Sequence, residues 1–165
     1  TVYAINDFKG TMDFYPIYDE TIEPLKISSL KSLTEFESSS IKYFAGNVKY
    51  TIQFSAPKSM FKNKGELFIN LGNFDAVAEV YLNGKHLGTN WIPGAKIPVT
   101  DFIEKQNTLE ITVATVCSNR FIGDYIEHGE VKSLFTTTMV DKYFNKDKPL
   151  KSSGLMGPIQ LIENN

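Results

Sequence analysis

The side chains able to do chemistry in this chain fall into three short stretches. Glu79 interrupts the apolar run Val77-Ala-Glu-Val-Tyr-Leu82, Trp91 stands beside Asn90 in a stretch rich in glycine and proline, and Asn119, Arg120 and Asp124 lie within six residues of one another. An amide, a rigid five-donor guanidinium and a carboxylate at such spacing suit recognition of hydroxyls or carboxylates. The same Arg120 and Asp124 could instead pair internally and fasten the long stretch that follows. An exposed indole can stack on the apolar face of a sugar ring, or it can plug the end of a sandwich or meet a neighbouring domain. Tyr43 and Tyr125 are weaker versions of that aromatic case. For Glu79 three readings stay open: a solvated or locally paired carboxylate, polar or ion recognition, and catalysis.

Catalytic motifs are otherwise missing from the sequence. It contains no G-x-G-x-x-G, no G-x-x-x-x-G-K-[ST], no G-x-S-x-G and no H-E-x-x-H. Glycoside hydrolysis needs two carboxylates about 5–9.5 Å apart, and nothing in the spacing of Glu79, Asp101, Asp124 and Glu127 sets two of them across a cleft. An autonomous glycosidase is therefore disfavoured. The single cysteine, Cys117, follows Val116 in what reads as an apolar strand, which makes it a structural thiol. One cysteine and two histidines exclude a disulfide framework, a two-cysteine zinc site and a three-histidine zinc centre, while carboxylates leave room for calcium.

These side chains need a scaffold, and 165 residues are enough for one domain with an ordinary core. The chain is 42% hydrophobic and 13% aromatic, which argues against disorder. Its 17 Lys and Arg against 19 Asp and Glu leave a net charge of -2, so nucleic acid is not an expected partner. No apolar run approaches the roughly 18 residues of a membrane span, and no membrane insertion is expected.

Alternation of apolar and polar residues predicts strands over 47–54 and 107–116, and residues 66–72 and 76–84 are two more β-prone segments. Asn83-Gly84 predicts a tight turn that pairs the strand ending at Leu82 with one beginning at Lys85. Residues 91–98 read as an irregular crossing or interrupted edge strand, and Thr100-Asp101 with Glu104 as the cap of one helical turn. In residues 1–40, short strands near 1–5 and 12–17 are interrupted by Gly10 and Pro16, and a loop falls at Ser38-Ser39-Ser40. Residues 123–152 form an insertion or long loop before the last strand, with a helix or hairpin over 131–144. Thr136-Thr137-Thr138 and the charged stretch Lys142 to Lys148 read as solvated. The whole is an all-β chain, an antiparallel β-sandwich with hardly any helical periodicity.

The ordered motifs Ile41-Lys-Tyr-Phe-Ala-Gly46, Ala78-Glu-Val-Tyr-Leu-Asn-Gly84, Leu87-Gly88, Trp91-x-Pro93, Asp101-Phe102, Asn107 to Val113, Asn119-Arg-Phe-Ile-Gly-Asp124 and Ser153-Gly-Leu-Met-Gly-Pro158 carry a resemblance. The chain resembles the galactose-binding-like jelly-roll domain of glycoside hydrolases over roughly residues 41–162. The similarity is to the sugar-binding domain of family 2 enzymes, and more closely to the C-terminal domain of the α-L-rhamnosidase-like family 106. This resemblance implies a noncatalytic carbohydrate-binding or accessory domain packed on a separate catalytic barrel that holds the acid and base carboxylates. A purely structural interdomain module is the alternative. It further implies a secreted or periplasmic parent, a saccharide or the parent's catalytic domain as partner, and no cofactor beyond a structural calcium. Gly46, Gly84, Gly88, Pro93, Gly123, Gly154, Gly157 and Pro158 carry over as fold determinants. Glu79, Trp91, Asn119 and Arg120 carry over as surface contacts.

Overall fold

The computed structural model describes residues 1–62, 65–133 and 140–164. Its strands are β1 (Val2–Ala4), β2 (Lys9–Pro16), β3 (Leu25–Ile27), β4 (Gly46–Ser55), β5 (Glu66–Asn70), β6 (Asn73–Phe74), β7 (Val77–Leu82), β8 (Lys85–Asn90), β9 (Lys96–Pro98), β10 (Gln106–Ala114), β11 (Leu155–Gly157) and β12 (Gln160–Asn164). The α-helices are α1 (Ser39–Lys42), α2 (Ser118–His128) and α3 (Val140–Tyr143). A six-stranded sheet runs β3-β2-β4-β10-β7-β8, a four-stranded sheet runs β1-β12-β5-β9, and β11 pairs with β6 in a short ribbon. Every one of these pairings is antiparallel.

Period-2 alternation decides which side chains meet between the sheets. From β4 come Val48, Tyr50, Ile52 and Phe54, from β10 Leu109, Ile111 and Val113, and from β7 Ala78, Val80 and Leu82. Leu67, Ile69 and Leu161 join them from the four-stranded sheet in one continuous core. Tyr50 is the largest of the fully buried side chains, and its hydroxyl accepts a hydrogen bond from the Leu155 amide at 3.0 Å. Burial pushes that phenol up to about 12. The two ends of the described chain lie side by side, because β1 pairs with β12 and the Thr1 ammonium donates to the Glu163 carbonyl at 2.7 Å.

The Asn83-Gly84 hairpin forms as the sequence predicts, with φ of 50° and 79° at its two central residues. Asn83 also does something the turn alone does not require. Its Nδ2 donates to the Phe102 carbonyl and to Asn107 Oδ1, both at 2.9 Å, while its Oδ1 accepts from the Thr108 amide at 2.8 Å. Buried Asn107 in turn accepts from the Glu104 amide and donates to the Glu104 carbonyl. This clasp ties the β7–β8 turn to the loop entering β10.

Several local expectations are corrected. Gly10 and Pro16 do not interrupt β2: Gly10 lies within it and Pro16 ends it opposite Gly46. The serine triplet enters α1 rather than a loop, with the Ser40 hydroxyl donating to Glu20. The turn after Val99 closes through the Phe102 and Ile103 amides on the Val99 carbonyl, and the Thr100 hydroxyl is used instead to accept from the Leu67 amide. Residues 91–98 are, as expected, an irregular stretch, and it leads into the edge strand β9. The expected helix or hairpin over 131–144 survives only as α3 among the described residues, and Thr136-Thr137-Thr138 lie outside them. Lys142, Lys146 and Lys148 are exposed.

Asn83→Gly keeps the positive φ but removes the clasp, leaving buried Asn107 and the Thr108 amide short of partners. It is expected to cost about 2 kcal/mol, lowering the thermal unfolding midpoint by roughly 4–8 °C. Asn83→Ala adds the left-handed backbone penalty and is expected to lose about 1 kcal/mol more.

Candidate functional site

Beyond β10 the chain turns into a helix where strand continuation was the sequence reading. Thr115 Oγ1 bridges the Gly46 amide and carbonyl at 3.1 Å, and the Val116 amide donates to Asp75 Oδ2 at 3.2 Å. Cys117 precedes α2 instead of lying in the strand, and burial pushes its thiol up, away from nucleophile chemistry. The helix closes at Gly129, whose φ of 76° is the left-handed stop and whose amide donates to the Tyr125 carbonyl at 3.0 Å.

Asn119, Arg120 and Asp124 all sit on α2, and all are buried, at 1%, 3% and 0% exposure. The Arg120 guanidinium donates to Asp124 Oδ1 through Nε at 3.1 Å and lies 2.9 Å from it through Nη2. Nη2 also donates to Glu127 Oε2 at 3.2 Å. Its central carbon is 5.6 Å from the Tyr18 ring centroid and 5.7 Å from that of Tyr43, within cation–π range. Gly123 explains how the helix approaches so closely. A Cβ there would lie 2.3 Å from Tyr43 Cγ, so the ring occupies the space that any other residue would fill.

Asp124 accepts hydrogen bonds from both sides of its carboxylate. Its Oδ2 receives the Lys132 and Ser133 amides at 2.9 and 2.8 Å, and its Oδ1 receives the Ser133 hydroxyl at 2.7 Å in addition to Arg120. Burial alone would push this carboxyl up, but the Ser133 and Lys132 amides, the Ser133 hydroxyl and Arg120 together hold it below the usual carboxylate range. Asn119 grips the other end of the connection, donating to the Lys151 carbonyl at 2.6 Å and accepting from the Lys151 amide at 2.9 Å. One helix thus fastens residues 132–133 and 151, through Asp124 and Asn119 on different sides of it.

Glu79 lies elsewhere, on the outer face of the six-stranded sheet with its side chain 46% exposed. His86 Nε2 is 3.3 Å from its Oε1, Tyr81 Oη lies 3.5 Å from the same oxygen, and the Tyr81 and His86 rings are 4.7 Å apart. Trp91 tops the loop between β8 and β9 at 68% exposure, and Ile92 beside it is 59% exposed. The loop is fixed at its base: the Gly94 amide donates to the Gly72 carbonyl, Asn70 Nδ2 donates to the Gly94 carbonyl, and the Ile92 amide donates to Asn90 Oδ1. Asn90 pairs with Ala78, and Ala78 with Val113, so this loop and α2 leave the same end of the sheet.

Register shares that end among the three groups, but no hydrogen bond or ion pair joins them among the described residues. Sequence reasoning missed Tyr18, Ser133 and Glu127 as members of the buried cluster, and Ile92 as the companion of Trp91. The i, i+4, i+7 spacing of Arg120, Asp124 and Glu127 was a usable helical signal. Among the described residues no group of three or more His, Cys, Asp or Glu is placed to hold a metal, so no ligand set for calcium can be assigned. None of the described helices is long and apolar enough to cross a membrane.

Fold and surface define an antiparallel β-sandwich module with a helical appendage, and similar units occur within larger proteins. No family model matches the chain. A protein named "Putative beta-glucuronidase" from Formosa agariphila is 32% identical over 174 residues, covering 92% of this chain and 15% of its own length. A solved rhamnosidase from Novosphingobium sp. PP1Y is 29% identical with a TM-score of 0.82, covering 98% of this chain and 15% of that one. A β-D-glucuronidase from Dictyoglomus thermophilum shares the fold with a TM-score of 0.60 at 15% identity. The chain therefore corresponds to a small part of larger glycoside hydrolases.

Asp124→Asn is expected to destabilise the protein by about 3 kcal/mol at pH 7, because it leaves buried Arg120 with only the part-exposed Glu127 carboxylate as charge partner. The Asp124 pKa is lowered on folding, so its contribution is present above the unfolded carboxyl pKa and lost as pH falls through the folded one. Denaturant unfolding of both proteins should show their difference narrowing progressively below about pH 4.

Proposed function

We propose that the chain is a noncatalytic accessory domain of a glycoside-hydrolase-like protein, of the galactose-binding-like kind, and that it seats against the catalytic part of the same parent. The observation that carries this reading is the alignment of 98% of the chain with 15% of a rhamnosidase. A unit of this size recurs as a minor part of a far larger enzyme. The Trp91–Ile92 tip supplies the contact, since two adjacent large apolar side chains on a loop fixed at its base form an anchor of the sort that dominates interfaces. Glu79 and its neighbours on the outer sheet face supply a polar surface. Asn119, Arg120 and Asp124 serve the contact from within, by holding α2 and the connection after it in place. Hydrolysis is left to the parent, because Asp124 is held ionised and is surrounded by donors. A parent acting on external saccharides gives the domain a secreted or periplasmic setting.

Direct saccharide binding by the exposed indole is the second reading, favoured by the 68% exposure of Trp91. The two separate in one experiment. Calorimetry of this chain with the separately produced remainder of its parent should give a saturable complex, weakened at least roughly tenfold by Trp91→Ala with the thermal midpoint unchanged. A complex indifferent to both Trp91→Ala and Ile92→Ser sinks seating through this loop. A saturable change in the emission of the lone tryptophan with rhamnose or galactose alone supports the second reading.

A further inference from the structure

The outer face of the six-stranded sheet divides into two halves. Toward β10, β7 and β8 its polar side chains satisfy one another: Lys49 pairs with Glu110 at 2.5 Å, Ser55 bonds Gln106, and Glu79 meets His86 and Tyr81. Toward β3 they do not. There a groove of about 470 Å³ opens, within the roughly 300–1,000 Å³ typical of ligand sites. It forms because β3 stops at Ile27, opposite Gly10, and leaves the start of β2 uncovered.

Register places the lining in two rows. Lys26, Thr11 and Thr51 stand side by side across β3, β2 and β4, and Lys9 stands beside Gln53. These five side chains make no hydrogen bond or ion pair with any described residue. No carboxylate lines the groove; the two acids flanking it on this face, Glu110 beside Thr51 and Asp13 next along β2 from Thr11, both face Lys49, which pairs with Glu110. Gly10, which has no side chain, lies between the two rows, while Ile27 beside it packs toward the core. Two free ammonium groups, two free hydroxyls and one free amide suit an anionic group carried on a polyhydroxylated ring.

We propose that this groove binds a segment of acidic saccharide, a uronate or a sulfated sugar, with Lys9 and Lys26 on its anionic groups and Thr11, Thr51 and Gln53 on its hydroxyls. Lysine suits this role as a mobile point charge that adapts to either anion. The groove lies at the opposite edge of the sheet from β8 and its Trp91 loop. The choice of a saccharide as carrier of the charge rests on the accessory-domain reading, whereas the anion chemistry rests on the groove alone.

The test is a heteronuclear NMR titration of the intact chain with tetragalacturonate, with a neutral galactan tetramer and with tetraglutamate. Tetragalacturonate is expected to give saturable shifts centred on the amides of Thr11, Lys26 and Thr51, binding at least roughly tenfold more tightly than the neutral tetramer. Raising salt from about 50 to about 200 mM should weaken it, and the double variant Lys9→Gln, Lys26→Gln, whose exposed positions leave the fold intact, should abolish the preference over the neutral tetramer. No saturable shift in the groove, equal binding of the neutral tetramer, or a preference that survives the double variant overturns the proposal. So does tetraglutamate binding as tightly as tetragalacturonate, which would assign the groove to an acidic peptide. None of these outcomes bears on the Trp91→Ala complex measurement, so the two readings fail separately.

Discussion

The pairing of β4 with β10 over the nine residues from Asn47↔Ala114 to Ser55↔Gln106 is the constraint on which the remaining geometry rests. These strands are far apart in sequence, and each is central, with β2 beyond one and β7 beyond the other. Because side chains alternate, that single register decides which residues enter the core and which reach the outer face. Val48, Tyr50, Ile52 and Phe54 go inward together with Leu109, Ile111 and Val113. Lys49 and Glu110 meet outside as a consequence of the same register. A slip of one residue would bury the charges and expose the core, so the outer-face division into paired and unpaired halves is inherited from this alignment.

A second constraint acts where the sheet ends. Burying an arginine and an aspartate is favourable only when both are paired and hydrogen-bonded on every side, and α2 meets that condition with partners drawn from Tyr18, Tyr43, Glu127 and the amides at 132–133. The helix is therefore a clamp more than a surface. The side chains of residues 119, 120 and 124 are spent on that clamp, whereas the large apolar side chains of Trp91 and Ile92 are left exposed.

What the sequence made legible was local. Alternation located β4 and β10, β-prone runs located β5 and β7, and Asn83-Gly84 located the hairpin, since each of these signals is complete within a few residues. The early strands were blurred by Gly10 and Pro16, whose meaning depends on strand neighbours outside their own segment. Helix α2 was harder still, because Gly123 lowers helical propensity and its justification, the Tyr43 ring, lies far back in the chain. The polar motif 119–124 looked like a surface for the same reason: the amides and rings that satisfy it belong to other segments. Trp91 was readable as an exposed candidate from its proline- and glycine-rich surroundings, and its unpaired neighbour Ile92 became evident only once the loop was anchored in space.

The adjacency of β1 and β12 has an architectural consequence. Neighbouring strands lie about 4.8 Å apart, so Val2 and Ile162 stand as close as any two adjacent rungs of the sheet. One edge of the four-stranded sheet is thus laid down by residues from the opposite extremes of the described chain, and that sheet is complete only once both have arrived.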